Sequence, residues 1–244
     1  MNKNQTIFVI DAGNTLLKVG IFRNQALDEV IRLSISEIDS LSALINSAED
    51  KAVIISSVLS DSLTSTLKDI FVDSLLFTDS LRLPINITYQ SPQTLGADRI
   101  CNSVASYSLA EGKNVLSIDM GTCIKFDFTD QDGNYRGGSI SPGIDLRYKS
   151  MNDYTGKLPL VTDKFSNALV GVSTIESLRS GVMNGIKAEI DQFIFLYSQQ
   201  YQDLTFFVTG GDAVYFDFSL KNNTFVDENL TIKGLYQIYL FNAK

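Results

Sequence analysis

Two short stretches of the sequence place the same polar residues directly after an apolar run. IDAGNT at residues 10–15 and IDMGT at residues 118–122 both read Ile-Asp, any residue, Gly, and then Thr within two positions. Glycine permits a tight turn whose amides converge, and threonine adds a hydroxyl donor. Such a turn suits an oxygen anion such as a phosphate. The pattern therefore predicts two phosphate-binding turns.

Each turn also carries a carboxylate, which repels a phosphate unless a cation lies between them. Asp11 and Asp119 thus imply a bound metal. Mg²⁺ prefers oxygen ligands, keeps several waters and bridges protein groups to nucleotide phosphates. Lys18 adds a point charge for a phosphoryl group in transfer. We therefore expect a nucleotide cleft between the two turns.

A simpler interpretation is that each Asp-x-Gly is only a hairpin turn, which these residue types favour in any case. For a single copy that interpretation is the better one, because short motifs match by chance. Two copies in register with a repeated fold favour phosphate binding. A third stretch, FVTGGDA at 207–213, is either a strand-to-helix turn or a place where the backbone approaches a nucleoside, and the presence of the other two turns favours the nucleoside.

The surrounding pattern alternates strands and helices, which is typical of an α/β protein. We predict strands at 6–11, 15–22, 25–33, 52–56, near 74–77, 114–119, 123–129, 134–140 and 205–209. We predict helices at 36–48, about 61–71, up to Gly112, and about 174–198, the last with a capping box from Ser173 to Glu176. The pattern restarts after residues 95–113, so we expect an N-terminal lobe at 1–95 and a C-terminal lobe at 96–244.

Composition narrows the function classes. The 244 residues carry a formal net charge of −8, which argues against a nucleic-acid-binding surface. No apolar run approaches the length of a membrane span, and the two cysteines lack metal-ligand spacing, so we expect a cytoplasmic protein with reduced thiols. Histidine is absent, so a general base must be a carboxylate, lysine, tyrosine or cysteine.

The three motifs together resemble the actin-like ATPase and sugar-kinase superfamily and, more narrowly, the type III pantothenate kinases. The matching stretches are DAGNTLLKVG (11–20), GADR (96–99), DMGTCIKFD (119–127), GGSISPGIDL (137–146), TGKLPLV (155–161), GVSTIESLRSGVMNG (171–185) and TGGDA (209–213). They occur in the right order over most of the chain. The resemblance implies two similar ribonuclease H-like lobes, the actin-like ATPase fold, with a nucleotide cleft between them.

The resemblance also implies an activity, the phosphorylation of pantothenate by Mg-ATP to 4'-phosphopantothenate, the first step of coenzyme A biosynthesis. Family members are homodimers whose acceptor pocket is completed at the subunit interface. Carried over residue by residue, Asp98 accepts the proton of the substrate hydroxyl and Asp119 holds a monovalent cation, K⁺ or NH₄⁺. The ATP-binding residues are Asp11, Ala12, Gly13, Asn14, Thr15, Leu16, Leu17, Lys18 and Thr122. The pantothenate-binding residues are Tyr89, Gly96, Ala97, Asp98, Arg99 and Thr174.

Each of these residues also has an ordinary structural explanation. Asp98 lies in the first turn of a helix, where the helix dipole favours an acid. Arg99 suits a carboxylate-bearing acceptor because its guanidinium binds both oxygens, and the ordinary alternative is a surface ion pair. Thr174 fits a capped turn at a helix start. Gly181 and Gly185 allow another backbone to approach, either within the chain or from a second subunit.

Two residues depart from the family pattern. Lys125 stands where a small or hydroxylated residue is usual, and Cys123 replaces a usual alanine. Lys125 either aims at phosphate or points away along its strand. If its ammonium partly substitutes for potassium, activity should be equal in sodium and potassium.

Two other function classes remain open on the same fold. A sugar-type kinase would keep the phosphate turns but has no particular use for GADR. A non-catalytic nucleotide-binding module, such as a filament former or a regulator, would not need Asp98, Lys18 or Asp119, and all three are present.

Overall fold

The structure, a computed structural model, describes residues 5–13, 16–165, 168–218 and 222–243. The chain forms two compact units. The first unit comprises residues 1–86, 90–105 and 229–244, and the second comprises 87–89 and 106–228. The first and the last described segments therefore belong to the same unit.

Helices and strands alternate along the described chain as the hydrophobic pattern predicts. The strands are β1 (Thr6–Ala12), β2 (Leu17–Arg23), β3 (Ala26–Leu33), β4 (Lys51–Ser57), β5 (Leu75–Leu76), β6 (Asn86–Ile87), β7 (Asn114–Met120), β8 (Cys123–Thr129), β9 (Asn134–Pro142), β10 (Leu204–Thr209) and β11 (Thr224–Val226). The α-helices are α1 (Ile38–Asn46), α2 (Asp61–Ile70), α3 (Ala97–Leu109), α4 (Ile144–Asp153), α5 (Thr174–Gln200) and α6 (Leu230–Asn242).

The sheet of the first unit has the strand order β3-β2-β1-β4-β5. β1 pairs antiparallel with β2 and parallel with β4. Alternate residues of β1, namely Phe8, Ile10 and Ala12, face a buried core that also takes Leu41 and Ile45 from α1. The intervening residues Ile7 and Val9 are buried as well, so β1 is apolar on both faces of the sheet.

Helix α6 belongs to the same unit and packs against β1, β2 and β4. A Cβ atom on Gly20 of β2 would lie 2.3 Å from the Cγ2 atom of Ile232. Phe22 and Tyr236 stack with their ring centroids 3.8 Å apart. The second face of the sheet is thus covered by residues that follow it in the sequence by about two hundred positions.

The second unit contains a sheet of order β11-β10-β7-β8-β9-β6. β7 is parallel to β10 and antiparallel to β8. Ile118 and Met120 of β7 and Phe126 of β8 face a core that also includes Tyr148 of α4 and Ile186 of α5. The neighbouring positions on β7 and β8 therefore point to the opposite side of the sheet.

Most predicted elements are confirmed to within two residues at either end, and β8 has the predicted bounds. The sequence did not predict α4, α6, β6 or β11. TGGDA leads β10 into a 3-10 helix over Gly211–Tyr215. None of the helices in the described part of the chain has the length and apolar character needed to cross a membrane.

Candidate active site

The first predicted phosphate turn connects β1 to β2 in the first unit. Asp11 lies opposite Lys18, and Ala12 lies opposite Leu17, in this antiparallel pair. Ala12 and Leu17 are fully buried in the core. Because residues directly opposite each other share a face, Asp11 and Lys18 lie together on the other face of the hairpin.

The loop of this turn is closed by a backbone hydrogen bond in which Gly13 N–H donates to the carbonyl of Leu16 at 3.1 Å. A Cβ atom on Gly13 would be 3.3 Å from that same carbonyl oxygen, so the loop is tight. Leu16 itself is 48% exposed. Asn14 and Thr15, predicted to bind phosphate here, lie outside the described residues.

The GADR stretch forms the start of α3 in the first unit. Asp98 Oδ1 accepts a hydrogen bond of 2.9 Å from the backbone N–H of Arg99. A Cβ atom on Gly96 would be only 2.5 Å from Asp98 Oδ1. Ala97 is the first residue of the helix, and the Arg99 side chain is buried. Glycine at position 96 therefore lets the Asp98 carboxylate fold back over the helix start.

The carboxylates of Asp11 and Asp98 both affect the pKa of the buried thiol of Cys101. Burial raises the pKa of Cys101 well above its usual value, and the negative charges of Asp11 and Asp98 raise it further. The carboxylates of Asp11 and Asp98 therefore each lie close enough to Cys101 to affect the pKa of its thiol. Cys101 is also fully buried, so its thiol is not accessible to solvent.

The second predicted phosphate turn connects β7 to β8 in the second unit. Asp119 lies opposite Lys125 in this hairpin and in register with Thr209 of β10 on its other side. Lys125 Nζ forms an ion pair with Asp119 Oδ2 at 2.6 Å. The carboxylate at the end of this strand, which needs a positive partner, has one within its own hairpin.

The loop of the second turn is held by its neighbours. Gly121 N–H donates to the carbonyl of Cys123 at 3.2 Å, and Gly143 N–H donates to the carbonyl of Thr122 at 2.9 Å. A Cβ atom on Gly143, at the start of α4, would be 2.0 Å from the Gly121 oxygen. The Thr122 side chain remains exposed. This turn is therefore rigid in its backbone and open at its hydroxyl group.

The two glycines of TGGDA differ in their surroundings. Gly210 has a φ of 94°, and a Cβ atom there would be 2.2 Å from the carbonyl oxygen of Met120. Gly211 has no atom within 4 Å of its Cβ position. The close approach at Gly210 is thus to the end of β7, and the Cβ position of Gly211 is open.

Asp212 forms an ion pair that the sequence did not indicate. Lys164 Nζ lies 2.9 Å from Asp212 Oδ1 and 2.7 Å from Asp145 Oδ2. Burial lowers the pKa of Lys164, but the hydrogen bonds to Asp145 and Asp212 outweigh burial, so the pKa is raised. Lys164 lies in a loop, and no sequence pattern links it to an acid nearly fifty residues away.

The remaining predicted residues of the second unit sit on separate elements. Tyr89 packs against Gly137 of β9, and a Cβ atom on Gly137 would be 3.2 Å from the Tyr89 ring. The rings of Tyr89 and Tyr135 meet edge to face, with their centroids 5.9 Å apart. Thr174 is the first residue of α5 and lines a cavity of about 520 Å³. The full lining is Arg147, Ser150, Met151, Leu158, Thr174, Ser177, Leu178, Gly181 and Val182.

The predicted cap of α5 is half confirmed. Ser173 Oγ accepts from the backbone N–H of Glu176 at 3.3 Å. The Glu176 carboxylate accepts from the backbone N–H of Val172 at 2.9 Å instead of closing back onto Ser173. Thr174 is thus held at a defined helix start beside the cavity.

The architecture and both turns define a class of protein. The chain superposes on a crystal structure described as a proposed Baf family transcriptional activator from Campylobacter jejuni, with a TM-score of 0.61 and 23% sequence identity. The superposition covers 97% of this chain and 98% of the Campylobacter jejuni chain. A proposed N-acetylmannosamine kinase from Listeria monocytogenes matches over 98% of this chain and all of its own, with a TM-score of 0.54 and 12% identity. These likenesses show the fold alone, and it is the predicted actin-like ATPase and sugar-kinase fold.

The family follows from sequence. Residues 7–195 match the family model described as type III pantothenate kinase. A type III pantothenate kinase from Phocaeicola vulgatus is 39% identical over 238 residues, which cover 97% of this chain and 98% of that protein. The chain belongs to the type III pantothenate kinase family, and the predicted family and enzyme class, a phosphotransferase, are confirmed.

Proposed function

We propose that this protein transfers the γ-phosphoryl group of Mg-ATP to the primary hydroxyl of pantothenate, giving 4'-phosphopantothenate and ADP in the first step of coenzyme A biosynthesis. The family match over most of the chain carries this proposal. The alternative of a sugar-type kinase rests on a likeness of fold at 12% identity, which says nothing about the acceptor.

The phosphates of ATP are bound by the first turn, from Asp11 to Lys18, with Thr122 contributing from the second. The pairing of Asp11 with Lys18 supports this role, since it puts one carboxylate and one ammonium on the same face of a hairpin. Mg²⁺ arrives with the nucleotide, and a carboxylate at the turn is the type of ligand it accepts. Lys18 balances the charge of the phosphoryl group in transfer.

Asp98 is the proton acceptor in this proposal. The hydroxyl oxygen of pantothenate attacks the γ-phosphorus, its proton passes to the Asp98 carboxylate, and the bond from phosphorus to the ADP oxygen breaks. A carboxylate is basic enough, because a loose phosphoryl transition state needs alignment more than strong proton abstraction. The Arg99 N–H bond to Asp98 Oδ1 supports this role by fixing the orientation of the carboxylate.

The acceptor pocket is formed by Gly96, Ala97 and Arg99, with Tyr89 and Thr174. Pantothenate ends in a carboxylate, and an arginine guanidinium binds both carboxylate oxygens at once. The cavity beside Thr174 supports its role, because it leaves space at the start of α5 for part of a small molecule.

The active protein is a cytoplasmic homodimer in this proposal. On α5, a Cβ atom would meet nothing within 4 Å at Gly181 and only the Arg147 guanidinium at 3.9 Å at Gly185. Gly181 lines the cavity beside Thr174, so it is Gly185 that packing within the described chain leaves unexplained, and this supports a second subunit at Gly185. A cytoplasmic location fits an enzyme that consumes ATP.

Asp119 keeps a monovalent positive charge beside the phosphates. The family resemblance assigns that charge to K⁺ or NH₄⁺. A lone K⁺ ion does not fit the carboxylate as this structure holds it, because Lys125 Nζ already lies 2.6 Å from Asp119 Oδ2.

The test measures ADP formation from MgATP with and without pantothenate, in the wild type and in Asp98→Asn. We expect ADP formation to require pantothenate and to fall by about 10²-fold or more in the variant, the usual contribution of a general base. Asp61→Asn is the matched control, because Asp61 is also an acid in the first turn of a helix, α2. If both variants lose activity equally, a helix-dipole effect explains Asp98 and its proposed role is wrong. Equal ADP formation with and without pantothenate would overturn the assignment of pantothenate as the substrate.

A further inference from the structure

Lys125 and Asp119 form an ion pair that the hairpin geometry holds in place. They lie directly opposite each other on β7 and β8, and the Nζ to Oδ2 distance is 2.6 Å. Their side chains retain only 17% and 15% exposure. An ion pair so far removed from water is screened less than one on the surface.

The surroundings keep this pair on one face of the sheet. Ile124 and Phe126, on either side of Lys125 in β8, are buried in the core, so their packing directs Lys125 to the opposite face. Thr209 of β10 is in register with Asp119 on its far side and is also buried. The ammonium is thus placed by the strand register and not by a flexible loop.

The same face is where a monovalent cation would have to bind. A K⁺ ion at Asp119 would be close to an ammonium of the same charge, and the two would repel each other. The lysine ammonium carries one positive charge and three N–H donors. It therefore supplies to the carboxylate what a bound NH₄⁺ ion supplies, with the difference that it is covalently attached.

We propose that Lys125 is a built-in replacement for the monovalent cation, so that this enzyme works without potassium. The inference rests on the proposed function, since the charge at Asp119 matters for ATP binding. Lys125 is a positioning residue in this account. Its ammonium keeps the Asp119 carboxylate neutralised and fixed beside the second phosphate turn, which allows the phosphates to approach.

The first test compares salts at constant ionic strength. Wild-type kcat and the KM for MgATP should agree within about twofold between NaCl and KCl. Lys125→Ala should raise the KM for MgATP by about tenfold or more in NaCl and recover when KCl or NH₄Cl is added, with saturation. The KM for MgATP of Lys125→Arg, which keeps a positive charge, should not change when KCl or NH₄Cl is added.

The matched control is Lys187→Ala. Lys187 forms an ion pair of 3.1 Å with Asp191 on α5, and that pair is exposed. The kcat and the KM for MgATP of Lys187→Ala should be the same in sodium and in potassium salts. A purely structural role for Lys125 predicts the same for Lys125→Ala, so absence of rescue by KCl or NH₄Cl would overturn the proposal. A strict potassium requirement in the wild type would overturn it as well.

A second readout does not need catalysis. The melting temperature of Lys125→Ala should rise in KCl relative to NaCl, because an ion that binds only the folded state stabilises it, while that of the wild type should not differ. Equal melting of the variant in both salts would count against a vacated cation site. If no salt gives pantothenate-dependent ADP formation, the proposed function fails, and the melting comparison still decides the role of Lys125.

Discussion

Gly210 offers a sharp test of how the second turn is built. Its backbone has φ 94° and ψ 155°, a region that is essentially reserved for glycine. A Cβ atom there would lie 2.2 Å from the carbonyl oxygen and 2.6 Å from the nitrogen of Met120. Met120 ends β7 and is fully buried, so its backbone has little freedom to move aside.

The stability that Gly210→Ala is expected to lose follows from the backbone conformation of residue 210 and from the close contact with Met120. The backbone conformation costs a non-glycine residue about 1–3 kcal/mol, and an extra methyl group in a closely packed site costs about 1–3 kcal/mol. We expect a loss of about 4 kcal/mol in the free energy of unfolding. Since natural proteins are stable by about 5–15 kcal/mol, this change removes a large part of the total.

The assay measures the midpoint of urea unfolding for Gly210→Ala, and Gly211→Ala is the control. Gly211 is the next residue, but its Cβ position is open and its φ is not positive. Gly211→Ala should therefore change stability by no more than about 0.5 kcal/mol. With a urea dependence of about 3 kcal/mol per molar, Gly210→Ala should lower the midpoint by about 1–2 M. Equal midpoints for the two variants would refute the close approach of TGGDA to β7.

Three further changes test other parts of the structure. Gly96→Ala should lower kcat by about 10²-fold through displacement of the Asp98 carboxylate, with little change in unfolding; unchanged kcat would show that Asp98 does not need this glycine. Burial raises the pKa of Asp130, but hydrogen bonds from its turn outweigh burial and lower it, so its carboxylate stabilises the fold above about pH 4 and less as the pH falls further. Asp130→Asn should thus cost about 1 kcal/mol at pH 6, and this difference should shrink in acid unfolding at pH 3. A thiol reagent should modify Cys123 and spare buried Cys101 until the protein is unfolded, and the opposite selectivity would contradict the burial described.

Local patterns predicted the strands and turns of the site well. The β-branched runs mark β1 and β4, and the Asp-x-Gly turns mark where β1 and β7 end. The pairing of Asp119 with Lys125 was also within reach, because a hairpin centred on Thr122 puts these two residues opposite each other. The roles assigned to the individual site residues stay predictions.

Contacts between distant segments were not predictable in the same way. Helix α4 is mostly polar and begins after a glycine, so its periodicity is weak. Helix α6 contains Gly234, which disfavours a helix by itself. The reason for that glycine lies in α3, because a Cβ atom there would be 1.8 Å from the carbonyl oxygen of Cys101. The link between Lys164 and Asp212 depends on tertiary folding in the same way.

The contribution of α6 to the first unit affects how the chain is made. A ribosome adds about 5–20 residues per second, so β1 and β2 exist for many seconds before the helix that covers one face of their sheet. During that time the second unit, whose segments are nearly continuous in sequence, has all of its core available. We expect the second unit to fold first during synthesis, although the first unit begins earlier, and the nascent sheet to be the part of the chain most exposed to chaperones.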